Sequence, residues 1–154
     1  MNIWILDYDP CVAAQHVCDQ HIDTALKDIE YMLDVILKGD DIYVSHPCIE
    51  WLHLPTARGW VMQYTSELNK IYKSKFGKDH KASKRISECL VELGFSIKRA
   101  PIYWPFSYPV EPLEMYDDVE IDEIYREYYR DLKVKMTWEN RVTPNFMKEE
   151  GKRI

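Results

Sequence analysis

Residues 7–39, DYDPCVAAQHVCDQHIDTALKDIEYMLDVILKG, place His21, Thr24 and Asp28 at successive spacings of three and four. A single helix running from an Asp9 N-cap, through Pro10 at its first position, to a Gly39 stop puts all three on one flank. His21 and Asp28 then lie about 20° apart around the axis and about 10 Å apart along it. They do not touch at that distance, but an imidazole and a carboxylate so placed can hold a ligand between them. The chemistry open to such a pair is proton transfer, or stabilisation of a positive charge developing in the ligand. Away from them, Ile22, Leu26, Ile29, Leu33 and Ile36 recur at helical spacing and form a core-facing stripe, with Met32 falling on the polar back. The plain alternative for the polar flank is a solvated face.

Other residues could serve the same site. In DYDP, Asp9 is explained by its N-cap role, whereas Asp7 has no such task. Asp7 is therefore a candidate nucleophile, base, or metal ligand together with Asp28. His16, Thr24 and His46 are candidate substrate contacts, and His46, before Pro47, also suits a helix cap. Residues 70–85, KIYKSKFGKDHKASKR, carry seven Lys/Arg against one Asp. Within them Lys78, His80, Lys81, Lys84 and Arg85 form a candidate phosphate patch. Arg141, near Trp138 and Phe146, adds a cation among rings that can stack. The Trp104 loop and YYRDL read as core instead. A net charge of −6 argues against non-specific nucleic-acid binding, but the acidic residues gather in 111–127 and leave the basic stretch locally positive.

These residues need a scaffold. The chain has 154 residues, 46% hydrophobic and 30% charged, which suits one globular domain over 1–154. Residues 1–9 read as an N-terminal arm (NIWIL as a short strand or packed extended segment) and 138–154 as a tail. A second helix is expected from Gly59 or Trp60 to about Lys75, with Val61, Tyr64 and Leu68 inward. A third, KASKRISECLVELG, ends at Gly94, and a last one is EIDEIYREYYRDLKVKM. The expected class is mainly α: a single compact domain of three to four helices with long irregular connections. No apolar run is long enough to span a bilayer, and MNIWILDYDP has no basic leader. The four cysteines therefore read as reduced thiols, and the location as cytoplasmic. GxGxxG, P-loop, HExxH, GxSxG and CxxC patterns are all missing, so no cofactor and no metal is implied.

Three blocks in order, DQHIDTALKD, ISECLVELGFSIK and the aromatic and basic ending YREYYRDLKVKMTWENRVTPNFM, resemble the pyrimidine-dimer DNA glycosylases of the phage endonuclease V type. The first is similar to that family's DQH followed by a catalytic carboxylate, and the second to its IxECLxxGFxIK with one residue inserted. HPCIEW, SKFGKDHKAS and the DxDPxxxAQxxCDxH opening are like phage and bacterial relatives. The resemblance implies an endonuclease V-like helical fold, DNA with a damaged or modified pyrimidine as partner, and a phage-infected bacterial cell as setting. It implies Asp28, His21 and Asp7 as catalytic residues. The family's amine nucleophile, an N-terminal threonine, aligns near Asp7, and its glutamate aligns with Asp28, one methylene shorter. The expected reaction is thus base excision without the N-terminal Schiff base. Two other readings stand beside it: a transferase acting on a 5-substituted pyrimidine in DNA, and a non-catalytic binder of nucleic acid, nucleotide or a host protein.

Overall fold

The computed structural model describes residues 2–39, 46–97, 121–132 and 134–148. Among these the chain is mainly helical and contains no strand. Its elements are α1 (Pro10–His16), a 3-10 turn (Asp19–His21), α2 (Ile22–Lys38), α3 (Pro47–Trp51), α4 (Pro55–Phe76), α5 (Ser83–Leu93), α6 (Ile121–Asp131) and α7 (Asn145–Lys148). The expected proline- and aromatic-rich loop falls, from residue 98 onward, outside the described residues, as do Trp104 and most of the acidic stretch. No helix among the described residues is long and apolar enough to cross a membrane.

The single helix expected over 10–38 is broken. Asp9 caps α1 as anticipated, its side chain accepting from the Cys11 and Val12 amides. At Val17 and Cys18 the backbone turns extended. The reason is tertiary: the Cys18 amide donates to the Tyr129 hydroxyl at 2.9 Å, and the Asp19 amide to the Thr137 carbonyl at 2.8 Å. Partners more than 100 residues away thus take amides that a continuous helix would use itself. His21 is left as the N-cap residue of α2, seven positions before Asp28.

The arm packs into the core, with Ile3, Ile5 and Leu6 inaccessible to solvent. α2 contributes Leu26, Ile29, Met32 and Leu33 to the same core and packs against α3, α4 and α5. Met32 is a correction to the spacing argument. It is fully buried rather than on a polar back, and the arm covers that part of α2 through the Asn2 amide, which donates to Asp28. Each such aliphatic side chain contributes roughly 1.5–3 kcal/mol by leaving water. The expected inward positions Val61, Tyr64 and Leu68 are buried in α4. That helix starts earlier than expected, because Pro55 is its first residue rather than punctuation. α5 ends before Gly94 as expected.

Gly59 is where α4 meets the segment after α5. A Cβ there would lie 2.1 Å from the Ser96 carbonyl oxygen and 2.7 Å from its carbon, while the Ser96 amide donates to the Pro55 carbonyl at 2.9 Å. Both sides of the contact are backbone, so relief requires α4 and the 94–97 segment to part. Gly59→Ala is expected to cost about 1–3 kcal/mol or more. At roughly 2–4 °C per kcal/mol the loss is readable in a melting curve. A variant melting with the wild type would show that the two segments separate freely.

Candidate active site

Asp28 sits half-buried on α2. The Asn2 amide donates to its carboxylate, and His46 approaches closely enough to act on it electrostatically. Burial pushes the carboxyl's pKa above its ordinary range. The positive charge at the start of the chain, the Asn2 amide and His46 pull it part of the way back. Among the described residues no salt bridge neutralises it. His46 is oriented by its N-cap role on α3, where Nδ1 accepts from the Cys48 amide at 3.2 Å.

Tyr64 closes the inner side. Its ring is fully buried and stacked on Trp60, 5.1 Å between centroids. Its hydroxyl lies by the Trp4 backbone and feels the Asp28 charge, but makes no hydrogen bond of ordinary geometry. Burial drives its pKa far above the usual phenol value. A neutral, buried O–H therefore lies within electrostatic reach of the half-buried Asp28 carboxylate.

His21 belongs to an adjoining aromatic cluster. Its Nδ1 is 2.8 Å from the Tyr129 hydroxyl, which already accepts from the Cys18 amide. Burial lowers the His21 pKa, which keeps the ring neutral near pH 7. Trp4 stacks between His21 (6.1 Å, 17°) and Tyr128 (5.7 Å, 19°). Trp4 thereby links the two halves, its ring against His21 and its backbone beside Tyr64. Thr24 is exposed on α2 one turn before Asp28.

The remaining candidates do not join this group. Asp7 accepts from the Asp9 amide at 2.9 Å and pairs with Arg126 at 3.0 Å, which fastens the arm to α6. His16 lies in that same cluster, with Nδ1 3.2 Å from the Leu6 carbonyl oxygen and its ring edge-on to Phe146. Burial, more than any other influence, lowers its pKa. Arg141 holds the tail: it donates to the Gln15 carbonyl at 2.9 Å and to Asp19 at 2.8 Å. Asp19 also accepts from the Glu139 amide and from Thr137. Burial raises its pKa, but these donors together with Arg141 more than offset that.

The basic stretch is equally divided. His80 is buried, donating from Nε2 to Asp23 at 2.6 Å while Nδ1 accepts from the Ala82 amide, so neither ring nitrogen is left for a phosphate. Arg85 is bound to Asp34 on α2. Lys78, Lys81 and Lys84 are exposed, but on another side of α2. Asp23, which meets this turn through His80, is five residues and about 140° from Asp28.

A neutral cleft of ≈ 260 Å³ between α4 and α5, lined by Thr65, Asn69, Ser83, Ile86 and Leu90 among others, contains no titratable side chain. Among the described residues no three His, Cys, Asp or Glu side chains converge as metal ligands.

No protein-family model, curated protein or solved structure matches this chain.

Asn2, Trp4, Tyr64 and Tyr129 were not among the candidates drawn from the sequence. Tyr64 and Tyr129 read as core, and both are buried, the Tyr129 hydroxyl meeting His21 and the Cys18 amide. For Asn2 the only sequence signal was a polar residue just before a buried apolar arm.

Proposed function

We propose that this chain acts on DNA at a damaged or modified pyrimidine, with Asp28 as the residue that drives cleavage of the base–sugar bond. The observation supporting this most directly is a partly buried carboxylate of raised pKa, with no salt bridge among the described residues, that accepts from the Asn2 amide and lies within electrostatic reach of His46 and of the buried Tyr64 phenol. Such a group is a better proton acceptor than a surface aspartate and a stronger partner for a cationic sugar. In the hydrolytic version the C1′–N bond breaks and its electron pair leaves with the base. Water adds to C1′ and gives its proton to Asp28. In this reading the partly exposed rings of Trp4 and Tyr128 are the surface on which an extruded base stacks.

One observation favours a second version. Because the Asn2 amide reaches Asp28, the arm runs beside the carboxylate, and in this version an amine there attacks C1′ in place of water. The two versions separate by experiment. Oligonucleotides carrying a thymine dimer, an abasic site or hydroxymethyluracil are incubated with the protein and borohydride, and both partners are weighed by mass spectrometry. Base release without an adduct supports the hydrolytic version. A reduced covalent adduct supports the amine version, and peptide mapping locates the nitrogen. Neither adduct nor base change on any substrate removes the enzyme reading in favour of a binding protein.

A further inference from the structure

We propose that the turn from α4 into α5 is a binding face for single-stranded nucleic acid, with one unpaired base stacked on Phe76 and the strand's phosphates on Lys78, Lys81 and Lys84. The proposal rests on the preceding reading only in sharing nucleic acid as the partner, and it concerns a different side of α2.

Phe76 is the last residue of α4 and is 55% exposed, with Lys73, Lys75 and Lys78 around it. Burying it would have been easy for a core residue, yet it stands out in solvent among cations. Its ring is braced by Tyr72, 4.6 Å between centroids, with the Lys75 ammonium 5.9 Å from the ring centre. Beneath it is a hollow of ≈ 180 Å³ with Ile22 and Tyr72 in its wall, of a size to take a flat heterocycle. A second hollow of ≈ 360 Å³, lined by Lys78, Asp79, His80 and Lys81, continues from the first and shares Asp23 and Tyr72 with it.

The charge of this face is positive once its internal pairs are removed. Asp23 is answered by Lys27 at 2.8 Å and by His80. Asp79 accepts from Asn69 at 3.0 Å and has Lys73 at 3.9 Å. Asp19, at the far end, is bound by Arg141. Lys78, Lys81 and Lys84 have no carboxylate within ion-pair distance among the described residues. The amino end of α5 adds to them, since its N-cap is Ala82 and offers no side-chain oxygen to the first-turn amides. Three ammonium groups with no carboxylate partner among the described residues, beside a helix start that lacks a side-chain cap, suit phosphates. An acidic peptide would satisfy the cations but gives the exposed ring no reason to be there. A duplex would keep its bases stacked and out of reach of Phe76, whereas a single strand presents them.

The test is fluorescence anisotropy with a labelled oligothymidylate, its duplex, and a polyglutamate peptide, each at several salt concentrations. The single strand is expected to bind best. Lys78→Glu/Lys81→Glu/Lys84→Glu should weaken it by at least tenfold and reduce the log–log salt slope by about 2, at about 0.7 per phosphate lost. Phe76→Ala should weaken it on the order of tenfold with the slope unchanged, because a stacked base releases no counterion. The altered side chains are exposed, and unchanged melting curves verify folding. No single-strand binding, polyglutamate binding as tight, or affinity indifferent to both variants overturns the proposal. Binding that behaves as expected, with no base ever released from any substrate, leaves this face standing and removes the Asp28 reading. Base release with an indifferent α4–α5 turn does the reverse.

Discussion

Arg58→Met is expected to lower stability by about 3–5 kcal/mol, a large part of the roughly 5–15 kcal/mol that holds a domain folded. Arg58 is 7% exposed and sits in the first turn of α4. Its guanidinium donates to the carbonyls of Leu52 (2.9 Å), His53 (3.0 Å), Leu93 (3.2 Å) and Gly94. Those carbonyls are the unpaired ends of α3 and α5, where partial negative charge accumulates. One planar cation thus closes two helices against the start of a third. Burial lowers its pKa, yet a guanidinium remains charged at any pH the fold survives. Methionine fills similar volume and donates nothing, so the carbonyls are left buried or must find water by opening the junction.

The expected readout is a fall in melting temperature of roughly 10 °C, from 2–4 °C per kcal/mol at this chain length. Arg58→Lys should recover only part of it, since an ammonium cannot fork toward four acceptors on two helices. Full recovery by lysine would show that charge alone matters and that the fork does not. The consequence extends to the site, because α3 carries His46 at its cap. Loosening the opposite end of this five-residue helix should therefore also change the environment of Asp28.

The apolar stripe of α2, the inward face of α4 and the Gly94 stop were legible because each depends on residues three or four apart. The break at Val17 and Cys18 was not legible. It depends on Tyr129 and Thr137, and nothing local in AAQHVCDQH weakens a helix enough to announce it. Asp7, His16 and Arg141 were sound candidates by residue type, but their partners are Arg126, Phe146 and Asp19, each distant in sequence. His80 shows the same gap: inside a lysine-rich stretch it reads as surface, and a carboxylate 57 positions earlier makes it core. Asp28 stands half-buried with no salt bridge among the described residues, and His46 caps α3 while acting on Asp28 electrostatically. Helical periodicity was therefore a good guide to the scaffold, whereas only long-range contacts separate a site residue from a fastening.

Asp28→Asn should move stability and activity in opposite directions. Burial raises the folded-state pKa of Asp28 above its unfolded value near ~3.9. Between those two values the folded chain holds more protons than the unfolded one, so stability falls as pH rises through that window. The ionised carboxylate is thus a standing cost at pH 7 and no cost near pH ~3. Asparagine removes the charge and keeps an oxygen to accept the Asn2 amide. The variant should melt above the wild type at pH 7 and together with it near pH ~3. Over the same range base release, where the proposed reaction holds, should drop by about 10²–10⁴-fold, as expected for loss of a proton-transferring group. A lower melting point at pH 7 would instead identify Asp28 as an ordinary fastening like Asp19. The combination of gained stability and lost activity has another meaning: a fold retains a buried charge that weakens it when chemistry at that charge is what selection keeps.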